Sequence, residues 1–150
     1  MENGILLLVD DDRDFCRLFE RNCPGQRVLV AHDIDHGIRL AASLYPEYIF
    51  LDVRFASPFR TGIDAIEEVK KESPFTKVVI VTAAPNEYDR DRALRAGAHA
   101  YCDKTGLVSG DGSVRRELER AVLQARRRRP AASPLWRHVA SSAVAATKKR

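Results

Sequence analysis

Five short apolar runs alternate with stretches of helical period, and this alternation constrains the chain more than any other feature. Ile5–Val9, Val28–Ala31, Tyr48–Leu51, Val78–Val81 and Ala98–Tyr101 read as strands. The first four lack the apolar–polar alternation of a sheet with one wet face, so they are expected to be parallel and covered on both sides. Between them, Phe15/Leu18/Phe19, Ile34/Ile38/Ala41/Tyr45 and Ile63/Ile66/Val69 fall at helical intervals, and Val114/Leu118/Ala121/Val122/Ala125 marks a final helix. Asn86–Arg95 has a weaker period but is followed by Gly97, a residue suited to a helix C-cap. The pattern is (βα)5. It specifies an α/β doubly wound parallel sheet with right-handed crossovers, whose ligands sit outside the carboxyl ends of the strands.

Those carboxyl ends collect unusual chemistry. Asp10, Asp11 and Asp12 follow the first run, Asp52 ends the third, Thr82 ends the fourth, and Lys104 lies just beyond the fifth. Like charges a few ångströms apart repel strongly where water is scarce, and an oxygen-seeking divalent cation is the usual remedy. Asp12, ahead of Phe15, is read instead as the N-cap of the first helix.

Charge distribution divides the chain. Residues 1–125 hold 17 Lys or Arg against 21 acids, whereas Arg126 to Arg150 holds eight bases and no acid. With Pro130 and Pro134, this shift predicts a folded unit over 1–128 and a basic, Ala/Ser-rich tail over 129–150. The tail reads as a flexible solvated extension; Leu135/Trp136/Val139/Ala140/Ala143/Val144 would form a short amphipathic helix if it orders. Cys16, Cys23 and Cys102 have no metal-ligand spacing, and the start Met1-Glu2-Asn3-Gly4 lacks a basic n-region. A cytoplasmic location with reduced thiols is therefore expected, with no membrane span. His32, His36, His99 and His138 form no metal-binding pair and are assigned no role.

The motifs Leu7-Leu8-Val9-Asp10-Asp11-Asp12, Phe50-Leu51-Asp52-Val53, Val79-Ile80-Val81-Thr82-Ala83 and Tyr101-Cys102-Asp103-Lys104 resemble the receiver domain of bacterial two-component response regulators. The likeness covers about residues 4–128, and the motif spacings resemble those of single-domain chemotaxis-type regulators. The resemblance implies a flavodoxin-like sheet of strand order 2-1-3-4-5 and a phosphoryl group accepted on Asp52 from a sensor histidine kinase or histidine phosphotransfer protein. It implies Mg²⁺ held by Asp10, Asp11, Asp52 and the backbone carbonyl of Arg54. Lys104 and Thr82 would contact phosphoryl oxygens, and Thr82 with Tyr101 would relay the change to a face built by the fourth helix, strand five and the fifth helix. That face would meet a downstream protein or a second copy of the chain. Specific nucleic-acid binding is not expected, since no helix-turn-helix pattern is evident. The chain would act as a switch catalysing only its own phosphorylation and dephosphorylation, not as an enzyme with an external product.

Three departures from the family pattern stand out. Thr105 follows Lys104 where the family usually has proline, and Arg54 and Ala84 occupy positions that in the family tune phosphoryl lifetime. Pro58 and Gly62 lie six and ten residues after Asp52, two more than usual, which implies a longer loop over residues 54–60 carrying two exposed aromatics and two arginines. One alternative is a receiver-fold adaptor that works without phosphorylation. Another is a haloacid-dehalogenase-type phosphatase using Asp10-x-Asp12 with Thr82 and Lys104. That reading leaves Asp52 idle and finds only Asp111, Glu117 and Glu119 as later acids. A dinucleotide-binding domain lacks its glycine-rich loop.

Overall fold

The computed structural model describes residues 4–109 and 114–127, which form one parallel sheet flanked by helices. The strands are β1 (Ile5–Val9), β2 (Arg27–Ala31), β3 (Tyr48–Asp52), β4 (Lys77–Thr82) and β5 (Ala100–Asp103). The helices are α1 (Arg13–Arg21), α2 (Ile34–Leu44), α3 (Gly62–Glu72), α4 (Glu87–Ala96), α5 (Lys104–Ser109) and α6 (Val114–Arg127). All four strand pairings are parallel and the order is β2-β1-β3-β4-β5, as the resemblance implied. The order reverses direction beside β1, so the carboxyl ends of β1 and β3 bound a crevice at the switch point of the sheet.

Because successive strand residues face opposite sides, each strand feeds two cores. Leu7, Val9, Ile49, Leu51, Val78 and Ile80 pack with Ile34, Ile38, Ile63, Ile66 and Val69 of α2 and α3. Leu6, Leu8, Phe50, Val79 and Val81 pack on the other face with Phe15 and Phe19 of α1 and with Val114, Leu118 and Val122 of α6. The Phe19 and Phe50 rings lie 4.9 Å apart at 55°. Truncating either fully buried ring costs about 3–5 kcal/mol in comparable cores. Double-sided burial explains why the strands read as unbroken apolar runs. The exceptions are the two edge strands, each with one neighbour: Val28, Leu29 and Val30 of β2 and Tyr101 and Cys102 of β5 are only half-buried.

Helix ends follow local chemistry. Asp12 caps α1, its side chain accepting from Asp14 N and Phe15 N at 3.1 Å each. Thr61 and Asp64 form a reciprocal capping box at α3, and Asn86 caps α4. Gly97 closes α4 with φ of 107°, a left-handed conformation costly for a residue with a Cβ.

The expected elements shift in several places beyond the one-residue extensions of β2, β3 and β4. Strand five starts at Ala100 instead of Ala98, because Ala98 N donates to Ala93 O (2.9 Å) in completing the α4 cap. Lys104 heads α5, a six-residue helix anticipated by no sequence period; one buried anchor, Leu107, is too few to show one. The final expected helix is therefore α6. In the loop over 54–60 only Phe59 is an exposed aromatic, at 93% exposure, whereas Phe55 is half-buried against the α2/α3 core. The proposed tail, 129–150, and His138 lie outside the described residues. Among the described residues, no helix is long and apolar enough to cross a membrane.

Candidate functional site

The three acids come together because β1 and β3 are adjacent and in register. Leu51 pairs with Val9, so the next residues, Asp52 and Asp10, stand side by side at the carboxyl end of the sheet. Asp10 N still donates to Ala31 O (3.0 Å), prolonging the β1–β2 ladder by one residue and fixing the Asp10 backbone. Asp10 and Asp52 are buried, Asp11 is exposed, and one carboxylate oxygen from each lies within 4.8 Å of the others.

Lys104 answers this charge. Its Nζ lies 2.7 Å from Asp10 Oδ2 and 3.1 Å from Asp52 Oδ2, and it stands 4.7 Å from the centroid of the Phe15 ring. These three contacts orient the ammonium although Thr105 replaces the usual proline. Burial alone would lower the Lys104 pKa, but contact with Asp10 and the charge of Asp52 outweigh it and raise it. Burial, then the charge of Asp10, push the Asp52 carboxyl up to about 6, against the opposing pull of Lys104. One ammonium thus does not neutralise the site. Asp10 Oδ2 is buried without a hydrogen bond of good geometry among the described residues, although Lys104 is near. An all-oxygen donor set with excess negative charge fits a hard divalent cation such as Mg²⁺ or Ca²⁺.

The other predicted residues border the trio. Asp52 pairs with Val81, which places Thr82 one residue farther along β4 at the same end of the sheet. Thr82 is buried and its Oγ1 accepts from Ala84 N (3.1 Å), leaving the hydroxyl proton available to another acceptor. Tyr101, on β5 beside Ile80, is half-buried, and its hydroxyl accepts from Asn86 N (3.2 Å) at the α4 cap. The Val53 carbonyl is engaged by Gly62 N at 2.9 Å. Arg54 itself has an exposed side chain.

Three contributors were not singled out from sequence. Gly62 stands out in the sequence only as a displaced loop glycine, yet a Cβ there would lie 1.8 Å from the Asp52 carbonyl oxygen, so α3 can approach β3 only with glycine. His32 Nδ1 lies 3.0 Å from Asp10 O, which as a carbonyl accepts the ring N–H, and its Nε2 is 3.4 Å from an Arg13 guanidinium nitrogen. Ala56 N donates to Asp11 Oδ2 (3.0 Å) across 45 residues. The last two contacts join distant loops, and no periodicity or motif announces them. Cys16 and Cys23 are buried and Cys102 is half-buried, and burial first of all pushes Cys16 and Cys102 up to about 12 and Cys23 up to about 11.

Comparison with known proteins agrees with this geometry. The response regulator receiver domain profile matches residues 6–107. The transcriptional regulatory protein CpxR of Klebsiella pneumoniae is 36% identical over 101 residues, 66% of this chain and 42% of CpxR. The chain thus spans less than half the length of that relative. The chemotaxis protein CheY of Halobacterium salinarum is 28% identical over 102 residues, 65% of this chain and 82% of CheY. Among solved structures, the response regulator domain of Thermotoga maritima CheB superposes with a TM-score of 0.63 at 25% identity, covering 86% of this chain and all of that one. A response regulator from Burkholderia pseudomallei, solved with a phosphorylated aspartic acid, a calcium ion and citrate, gives a TM-score of 0.66 at 20% identity and covers 99% of this chain and 88% of its own. With its profile match, its 2-1-3-4-5 sheet and its Asp10/Asp11/Asp52 pocket, the chain belongs to the response regulator receiver domain family.

Proposed function

We propose that this receiver takes a phosphoryl group on Asp52 and signals through protein contacts. The observation that carries the reading is the joint placement of Asp10, Asp11 and Asp52 within 4.8 Å with Lys104 Nζ 3.1 Å from Asp52. A carboxylate oxygen of Asp52 attacks phosphorus, the P–N bond of a phosphohistidine on a sensor histidine kinase or histidine phosphotransfer protein breaks, and the imidazole leaves with the bond electrons. Lys104 Nζ and the Thr82 hydroxyl donate to phosphoryl oxygens as charge builds on them. Asp10, Asp11, Asp52 and the Arg54 backbone carbonyl are the groups that would hold Mg²⁺. When bound, that ion offsets the negative charge of the acids and the phosphoryl group. The Burkholderia relative, with its phosphorylated aspartic acid and calcium ion, supports this assignment.

The relay runs through Thr82 and Tyr101. Drawing Thr82 toward the phosphoryl group frees space beside β4. Tyr101 then moves inward and gives up its contact with Asn86 N, which alters the start of α4. The face of α4, β5 and α6 changes with it and presents a surface to a downstream protein or to a second copy. In this reading residues 1–128 are the receiver, 129–150 are a basic appendage, and the unit works in the cytoplasm as a switch without an external product. Asp12 counts against the phosphatase alternative, because its carboxylate is occupied in capping α1.

The test is intact-mass spectrometry after incubation with acetyl phosphate and Mg²⁺. A base-labile gain of one phosphoryl group, absent in Asp52→Asn and in a chelated control, is expected. A gain retained in Asp52→Asn would overturn the assignment, and no gain with either acetyl phosphate or a phosphohistidine donor would favour the phosphorylation-independent adaptor.

A further inference from the structure

Each carboxylate of the trio has one oxygen held by a backbone N–H. Asp10 Oδ1 accepts from Asp12 N at 2.9 Å and Asp52 Oδ1 from Val53 N at 2.8 Å. Those donors are one or two residues from the acids they hold, so the strand ends supply them automatically. The third is different: Asp11 Oδ2 accepts from Ala56 N at 3.0 Å, from the loop joining β3 to α3. Asp11 is also the exposed member of the trio. An exposed side chain with two free torsions samples several rotamers, so a single directional contact decides where its carboxylate spends its time.

The loop is built to keep that N–H in place. On one side of Ala56, the Phe55 ring packs against the α2/α3 core. On the other, the Arg60 guanidinium bridges Asp35 of α2 (3.0 Å) and Glu68 of α3. The loop ends where Gly62 N meets Val53 O (2.9 Å) and the Thr61–Asp64 capping box starts α3. Ala56 is therefore suspended between an apolar anchor and an ionic one.

We propose that the Ala56 N–H is a positioning group for cation binding: by holding Asp11 Oδ2 it keeps the Asp11 carboxylate gathered with those of Asp10 and Asp52. The inference rests on the reading that these acids bind Mg²⁺. A reciprocal consequence follows from linkage, since a contact that favours cation binding is itself favoured by the cation. Mg²⁺ therefore steadies the loop that carries Phe59, and the surface beside the phosphoacceptor depends on whether the cation is bound.

The experiment combines Mg²⁺ titration by calorimetry with amide hydrogen exchange at Ala56 followed by NMR, neither of which requires phosphoryl transfer. Ala56→Pro, which lacks the N–H, is expected to bind Mg²⁺ about tenfold more weakly, the scale at which partners of metal ligands act. Ala56→Ser keeps the N–H and is expected to bind like the wild type. In the wild type, saturating Mg²⁺ should slow exchange at Ala56, and Asp11→Ala should speed it without metal. Unchanged Mg²⁺ affinity in a folded Ala56→Pro, or exchange at Ala56 that Mg²⁺ leaves unaltered or accelerates, overturns the positioning role alone. If Ala56→Pro does not fold, the wild-type exchange result decides. Failure of the wild type to bind Mg²⁺ at all sinks the metal reading and this inference with it.

Discussion

The two ends of the sheet solve the problem of buried polar groups in opposite ways. At the amino-terminal end, the Thr76 hydroxyl donates to Pro46 O at 2.6 Å and accepts from Ser73 Oγ at 2.5 Å, while Glu47 N donates to Ile5 O and Lys77 N to Glu47 O. Every one of these groups is neutral and paired, and the cost of burial is met locally. At the carboxyl-terminal end, Asp10 and Asp52 are buried together with one ammonium between them. That end is left short of positive charge. The contrast separates the two edges: one is arranged for stability, and the other is held in a state that a divalent cation would relieve.

Substitutions can break or sharpen this contrast. The largest effect is expected from Gly62→Ala, because the new Cβ would meet the Asp52 carbonyl oxygen at 1.8 Å and rigid backbone cannot yield cheaply. Loss of about 3 kcal/mol or more in urea unfolding is expected, together with slower labelling by acetyl phosphate, since the residue displaced is the proposed phosphoacceptor. Near-normal stability would mean that α3 can shift without disturbing the site.

Next comes Asp52→Asn, which should stabilise the metal-free protein. The folded chain holds the Asp52 proton up to about pH 6, against a reference value of 3.8. It therefore binds that proton more tightly than the unfolded chain, and stability contributed by this group falls as pH rises from about 4 to about 6 and stays low above. Unfolding free energies from urea titrations across that window should fall more in the wild type than in Asp52→Asn, leaving Asp52→Asn the more stable protein above pH 7. Parallel pH profiles would show that the carboxylate is not the frustrated element.

The opposite end should respond with the opposite sign. Thr76→Val leaves the Ser73 hydroxyl and the Pro46 carbonyl without their partner, and a loss of about 1.5 kcal/mol is expected in thermal or urea unfolding. An acid at the functional end that the fold does use provides the smallest effect. Asp12→Ala removes the α1 cap and should cost about 1 kcal/mol while leaving Mg²⁺ affinity unchanged, as read by the same titration. A large drop in metal affinity would instead place Asp12 among the ligands.

Much of this was legible beforehand because parallel strands buried on both faces must be apolar throughout. The runs ending at Val9, Leu51 and Val81 marked the strands, and the polar residues immediately after them marked the site. Element edges were less legible where competing local bonds decide them: Ala98 completes a helix cap before the chain enters β5. The helix at Lys104–Ser109 is too short for a period to exist. The long loop after Asp52 was visible as a change of spacing, but not the opposite fates of its two aromatics. Phe55 is half-buried because the α2/α3 core lies beneath it, and Phe59 faces water because nothing does.

Order along the chain alone determined the α/β class, the family resemblance and the candidate residues Asp10, Asp11, Asp52, Thr82 and Lys104, because each follows an apolar run whose direction in a parallel sheet is the same. Proximity across the fold decided what those residues experience. Asp52 is pushed up to about 6 because burial, then Asp10, act on it, and Asp11 is steered by the amide of Ala56, 45 residues away. Local pattern is written by backbone periodicity and survives in the sequence, whereas electrostatics and long-range hydrogen bonds depend on distances that exist only once the chain has folded.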